Sequence, residues 1–82
     1  MERVDETGIV ATIAANLRRA RKAAGLSQEA LAHRAGLDRT YVSQVERGRR
    51  NLTVTALARL AAALGTTPDR LLLPEREVAG EE

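Results

Sequence analysis

Four polar side chains with complementary hydrogen-bonding chemistry lie close together in the middle of the chain: Arg39, Thr40, Ser43 and Gln44. An arginine fork can donate two hydrogen bonds to the edge of a guanine, and a glutamine amide can pair with an adenine. The hydroxyl groups can reach a base edge or a phosphate oxygen. On a helix these four residues share one side, and Val42 and Val45 fall on the other. The combination indicates base recognition in a nucleic acid.

Residues that could support catalysis or metal binding are few. His33 is the single histidine and there is no cysteine, so neither a transition-metal site nor a disulfide is expected. A Ser–His–Asp arrangement of Ser27, His33 and Asp38 is disfavoured, because Ser27 and Asp38 both fit helix N-caps and no oxyanion-hole motif accompanies them. We therefore expect no enzymatic activity, no metal site and no cofactor.

The charge is distributed unevenly along the chain. The net charge is only +2, but residues 18–50 contain nine basic and three acidic residues. Residues 69–82 contain five acidic residues and two arginines. A basic segment of this kind suits a polyanionic partner such as DNA. A solvated, arginine-rich surface without a partner is the alternative explanation.

Length and composition bound the size of the protein and its location. A chain of 82 residues permits one domain with a small core. Tyr41 is the only aromatic residue, so aliphatic side chains must build that core. The apolar runs are too short to cross a membrane and no signal peptide pattern is visible. These features predict a cytoplasmic protein without membrane contact.

Apolar spacing predicts a first helix over about residues 8–24. Its apolar residues recur every three or four positions, at Ile9, Ile13, Leu17 and Ala20. Ser27 and Asp38 fit the N-caps of a second and a third helix. The second helix is expected to end near Ala35 and the third near Arg47.

Two further helices and polar ends complete the predicted organisation. Thr53 fits the N-cap of a fourth helix, and Pro68 fits the first position of a short fifth helix. No strand pattern or internal repeat is present. We expect one domain over residues 8–74, a flexible N-terminus at residues 1–7 and a flexible acidic tail at residues 75–82.

Residues 28–47, QEALAHRAGLDRTYVSQVER, have the spacing of two short helices that pack against each other. Gly36 fits the turn between them. The contact positions are small or aliphatic, at Leu31, Ala32, Ala35, Leu37, Val42 and Val45. This pattern predicts a helix-turn-helix, a unit that holds its second helix in the major groove of double-stranded DNA.

Three stretches of sequence resemble one known family. They are Arg21 followed by GLSQEALA, the AGLDRTYVSQVERG segment, and the RLAAALG helix. Together they resemble the Cro and phage-repressor type of helix-turn-helix regulator, the XRE family, from about Ile13 to Leu72. Within that family, the segment RTYVSQVERGRRNLT most resembles the controller proteins of restriction-modification systems. The resemblance implies an all-α, lambda-repressor-like bundle of five helices that binds operator DNA as a dimer.

The resemblance also implies roles for residues around the third helix. Gln28 is expected to bond a phosphate and to brace the third helix, and Arg21 and Glu46 to form a partly buried ion pair. Tyr41 would face DNA, whereas a half-buried tyrosine that covers the packing of the helices is an equally strong alternative. The basic loop after the third helix is expected to contact phosphates through Arg49, Arg50 and Asn51.

The C-terminal leucines indicate a partner subunit. Successive helix residues are about 100° apart, so three consecutive leucines cannot all face one small core. The expected dimer interface contains Leu64, Leu71, Leu72 and Leu73. In the alternative, the acidic tail folds back and covers the surplus leucine.

These observations predict a sequence-specific transcription regulator that acts as a homodimer on a two-fold-symmetric operator. A restriction-modification controller is the particular form that the resemblance suggests. Activation of transcription would also require RNA polymerase as a partner, and no sequence feature identifies that surface. The rival interpretation is an antitoxin or adaptor whose main role is to bind a protein partner through the leucine-rich C-terminal region.

Overall fold

Five helices follow one another in residues 8–74, which are the residues that the structure, a computed structural model, describes. The helices are α1 (Ile9–Ala23), α2 (Gln28–Ala35), α3 (Arg39–Glu46), α4 (Val54–Ala63) and α5 (Pro68–Leu72). The expected flexible ends, residues 1–7 and 75–82, lie outside the described residues. The predicted helices and their order are confirmed, and the predicted bounds of α1 and α3 are one residue too long at the ends.

Side-chain caps mark the starts of α2 and α4. Ser27 Oγ accepts a hydrogen bond from the Ala30 backbone N–H at 2.9 Å, and Thr53 Oγ1 accepts one from Ala56 at 3.0 Å. Such caps satisfy N–H groups that have no partner within the helix, and each stabilises a helix start by about 1 kcal/mol. Proline at the first position of α5 has a backbone already suited to the helix.

An aliphatic core lies where the helices meet. α2 packs against α3 and α4, whereas α1 packs against α3 and α5. The largest fully buried side chains are Leu17, Leu31, Val42, Val45 and Leu60. Burial of each such side chain contributes about 1.5–3 kcal/mol, so this small set holds α3 firmly on α1 and α2.

None of the helices in the described part of the chain is long and apolar enough to cross a membrane. The longest, α1, has 15 residues.

Candidate nucleic-acid interface

The helix α3 has one buried and one polar face. Val42 and Val45 are 0% and 2% exposed and lie in the core. Arg39 and Thr40 are exposed at the N-terminal end of α3, and Ser43 and Gln44 are half-buried one turn later on the same side. The structure therefore brings the four predicted base-contacting residues onto a single polar face, which is exposed at its N-terminal end and half-buried one turn later.

The turn before α3 sets the angle between α2 and α3. Gly36 has φ +70°, in the left-handed region that glycine adopts without steric cost. The Leu37 N–H donates to the Ala32 carbonyl at 2.9 Å, which ends α2 with a Schellman-type bond. At the start of α3, the Asp38 carboxylate accepts a long hydrogen bond of 3.5 Å from the Thr40 N–H. Backbone geometry thus directs the polar face of α3 away from α2.

An ion pair ties α3 to α1. Arg21 Nε donates to Glu46 Oε2 at 2.6 Å, and Arg21 Nη2 donates to Glu46 Oε1 at 3.0 Å. The pair is nearly removed from water, since the side chains are 12% and 1% exposed. Arg21 Nη1 also donates to the Leu26 carbonyl at 2.8 Å. The bidentate geometry that the sequence analysis expected is present, and it joins α1, the α1–α2 turn and α3.

Gln28 belongs to the same network. Its Nε2 donates to Glu46 Oε1 at 3.0 Å, which leaves the second amide N–H at the start of α2 for another acceptor. Burial by itself would raise the pKa of Glu46. The hydrogen bonds from Arg21 and Gln28, with the nearby charges of Arg21 and Arg18, outweigh burial and hold the pKa of Glu46 below its usual value. The hydrogen bond to Glu46 raises the pKa of Arg21.

Tyr41 links α3 to the basic loop and to α4. The ring is half-buried and packs against the core. This agrees with the alternative in which the tyrosine covers the packing of the helices. The tyrosine oxygen accepts a hydrogen bond from the Thr53 backbone N–H at 3.1 Å. The Arg50 guanidinium lies over the ring at 4.5 Å from its centroid, within the range of a cation–π contact.

Arg50 also contacts the polar face of α3, which the sequence did not indicate. Its Nη1 donates to Gln44 Oε1 at 2.9 Å. Arg49 and Asn51, the other two residues predicted to contact phosphates, are exposed beside it. All three side chains are therefore exposed, and Arg50 differs from the other two because it folds back onto α3.

The C-terminal leucines divide between the core and the surface. Leu71 is 2% exposed and belongs to the core, so it drops out of the expected dimer interface. Leu64 and Leu72 are half-buried and pack against the core, whereas Leu73 is 59% exposed. Leu73 follows the last residue of α5 with an extended backbone, and its side chain lies at the surface.

Asn16 is a structural residue that the sequence analysis missed. Its amide donates to the carbonyls of Leu71 at 2.9 Å and Leu73 at 2.7 Å, and its oxygen accepts from Arg19. The side chain is 8% exposed and fastens the end of α5 to α1. A polar residue beside Leu17 on an otherwise apolar helix face was the available signal.

These features define a helix-turn-helix protein. The second helix of its motif, α3, is held by core packing and by the Arg21–Glu46 pair, and its polar face lies opposite the core. A family model described as Helix-turn-helix matches residues 17–71, more than half of the chain. The chain belongs to this helix-turn-helix family.

The chain is also similar to a transcription factor and to a restriction-modification controller protein. The Neisseria hypothetical transcription factor of Neisseria meningitidis serogroup B is 49% identical over 73 residues, covering 89% of this chain and 69% of that protein. The restriction-modification controller protein C.AhdI from Aeromonas hydrophila is 47% identical, with a TM-score of 0.74, covering 76% of this chain and 94% of that one.

A third relative was solved with DNA. The controller protein C.Esp1396I, a tetramer in complex with its natural 35 base-pair operator, is 32% identical with a TM-score of 0.73. The match covers 80% of this chain and 87% of that one. The resemblance to restriction-modification controllers is confirmed by these similarities.

Proposed function

We propose that this chain is a sequence-specific transcription regulator that binds double-stranded operator DNA as a homodimer, in the manner of a restriction-modification controller. The observation that carries the proposal is the polar face of α3, which is exposed at its N-terminal end and is held on the helix-turn-helix by Val42, Val45 and Glu46. A helix presented in this way fits the major groove, where each base pair shows a distinct pattern of donors and acceptors.

The exposed N-terminal end of α3 contacts the bases. Arg39 and Thr40 stand at the N-terminal end of the helix, the part that enters the groove first in helix-turn-helix proteins. Ser43 and Gln44 follow one turn later. Tyr41 is half-buried next to Thr40, and in this function its exposed part contacts the base or backbone beside the helix.

Phosphate contacts flank the reading helix on both sides. The spare amide N–H of Gln28 lies at the start of α2, where free backbone N–H groups also favour an anion. Arg49 and Asn51 extend from the loop after α3 and reach the backbone of the other flank. These contacts position the protein and make binding salt-dependent without selecting sequence.

A second copy doubles the length of DNA that is read. Leu73, together with half-buried Leu64 and Leu72, provides apolar surface for a partner at the α5 end. Two copies related by a two-fold axis would place their α3 helices about 34–36 Å apart, one turn of DNA.

Selection of bound fragments from random duplex DNA tests this function. We expect a two-fold-symmetric consensus with half-sites one helical turn apart. Binding that is sensitive to salt but has no consensus would refute sequence-specific regulation. Sedimentation at tens of micromolar should give a dimer, and the Leu73→Glu variant should give a monomer with an unchanged helical spectrum.

A further inference from the structure

We propose that Arg50 determines base specificity by acting through Gln44, and that the two side chains together select guanine over adenine at one base pair of each half-site. This inference rests on the proposed function, because it requires α3 to enter the major groove. It assigns Arg50 a positioning role in place of the phosphate contact that its sequence position suggested.

The chemistry of the Arg50–Gln44 hydrogen bond establishes how the glutamine amide is oriented. A guanidinium has only donors, so the amide atom that faces it at 2.9 Å must be the oxygen. The Gln44 Nε2 atom and its two N–H groups therefore lie on the side away from Arg50. The pair presents donors to a ligand, and its one good acceptor is already engaged by a cation.

Two contacts hold the Arg50 side chain, which is otherwise exposed. Its guanidinium lies 4.5 Å from the centroid of the Tyr41 ring. That ring packs against the core, and its oxygen accepts the Thr53 N–H bond at 3.1 Å. Arg50 thus contacts the face of the Tyr41 ring and also donates a hydrogen bond to Gln44. The glutamine is oriented before DNA arrives, so less side-chain entropy is lost on binding.

The pattern of donors and acceptors on the bases decides the preference. A free glutamine amide recognises adenine by donating to N7 and accepting from the N6 amino group. With Arg50 on its oxygen, Gln44 is a weaker acceptor, and the neighbouring positive charge repels an amino group. Guanine offers two acceptors, N7 and O6, and therefore suits a surface that presents donors.

Arg49 is the matched control because it belongs to the same loop and carries the same charge. It is exposed, and across residues 8–74 its side chain makes no hydrogen bond or ion pair. Only its backbone N–H bonds to α3, at 2.9 Å from the Gln44 carbonyl oxygen. A general loss of positive charge from the loop would therefore affect the Arg49→Ala and Arg50→Ala variants alike, whereas loss of the Gln44 contact is specific to Arg50→Ala.

The test measures dissociation constants for a panel of operator duplexes that carry each base pair at every half-site position. At the position that Gln44 contacts, which differs from the one that Arg39 reads, the wild type should prefer guanine by roughly tenfold. Arg50→Ala should reduce that preference and raise the relative affinity for adenine at the same position. Gln44→Ala should abolish the preference, and adding Arg50→Ala to it should cause no further change in preference. Arg49→Ala should weaken all duplexes by one common factor.

Three outcomes would overturn the inference. If Arg50→Ala weakens all duplexes equally and lowers the salt slope by about 0.9, as a phosphate contact does, Arg50 does not act through Gln44. If Gln44→Ala retains the full guanine preference, Gln44 does not discriminate between the bases and Arg50 cannot act through it. If the wild type shows no preference at any position, both this inference and the proposed function fail. Either of the first two outcomes, in a wild type that does show a preference, overturns the inference alone.

Discussion

The Arg21 guanidinium and the Glu46 carboxylate meet in a bidentate pair, with Nε–Oε2 at 2.6 Å and Nη2–Oε1 at 3.0 Å. Twenty-five positions separate the two residues in the chain. The pair connects the last turn of α1 to the C-terminal end of α3, the helix that carries the residues proposed to contact bases. Its contribution to stability and its pH dependence can be tested separately from DNA binding.

Removal of one partner of this pair should destabilise the fold strongly. Glu46→Ala leaves the Arg21 guanidinium nearly buried without its counter-charge, and breaking such a pair costs about 3–5 kcal/mol. Urea unfolding followed by circular dichroism measures the loss. The control is Glu29→Ala, an exposed acidic residue in the first turn of α2, which should cost less than about 1 kcal/mol. Equal effects of the two variants would contradict a structural role for the pair.

Acid should weaken the protein through Glu46. Its pKa is lower in the folded protein than its ordinary value of 4.5, because hydrogen bonds from Arg21 and Gln28 outweigh burial. The resulting stability is fully present above the ordinary pKa and is lost as the pH falls towards the folded pKa. The melting-temperature gap between the wild type and Glu46→Gln should therefore be largest near neutral pH and should narrow below about pH 4.5. A gap that stays constant down to pH 3 would rule out this linkage.

Loss of Asn16 should loosen α5. Asn16→Ala removes two hydrogen bonds from the carbonyls of Leu71 and Leu73, at a cost of about 1–3 kcal/mol. Hydrogen exchange of the α5 amides should accelerate more than that of the α2 amides, since the contact is local. A uniform acceleration in all helices would indicate that Asn16 acts on global stability alone.

Alanine in the turn before α3 should be costly for a backbone reason. Gly36→Ala forces a side chain into the left-handed region, at about 1–2 kcal/mol. A Cβ there would also lie 3.3 Å from Arg59 Nη1, but that atom ends an exposed, flexible side chain. Gly25→Ala, with φ +72° and no atom within 4 Å of the added Cβ, is the control. The two losses in urea should agree within about 1 kcal/mol, and a much larger loss at Gly36 would mean that Arg59 cannot move.

Arg39 should discriminate between bases, whereas Arg49 should not. Arg39→Ala is expected to lose about 1–3 kcal/mol of discrimination at a single base pair of each half-site, because its fork can bond both acceptors of a guanine. Arg49→Ala should weaken every duplex similarly and reduce the salt slope by about 0.9. Fluorescence anisotropy with single-substituted operators at several salt concentrations separates the two. Identical behaviour of both variants would argue against base reading by Arg39.

Local patterns in the sequence accounted for the helices and for the two faces of α3. The caps at Ser27 and Thr53 act within three residues, and the separation of Val42 and Val45 from Arg39 and Thr40 follows from helical periodicity alone. Such short-range relations can be read from one sequence. The resemblance to a known family added the pairing of Arg21 with Glu46, which no periodicity could supply.

Tertiary structure decided the partners that lie far apart in sequence. Asn16 bonds to carbonyls 55 and 57 positions away, and Arg50 turns back from its loop onto Gln44 and Tyr41. Packing also placed Leu71 in the core and left Leu73 at the surface. The physical reason is that a long polar side chain has several partners within reach, and only the packed arrangement of the helices determines which of them it meets. For this protein, the sequence by itself determined that α3 offers a polar face, and the fold decided which side chains orient it.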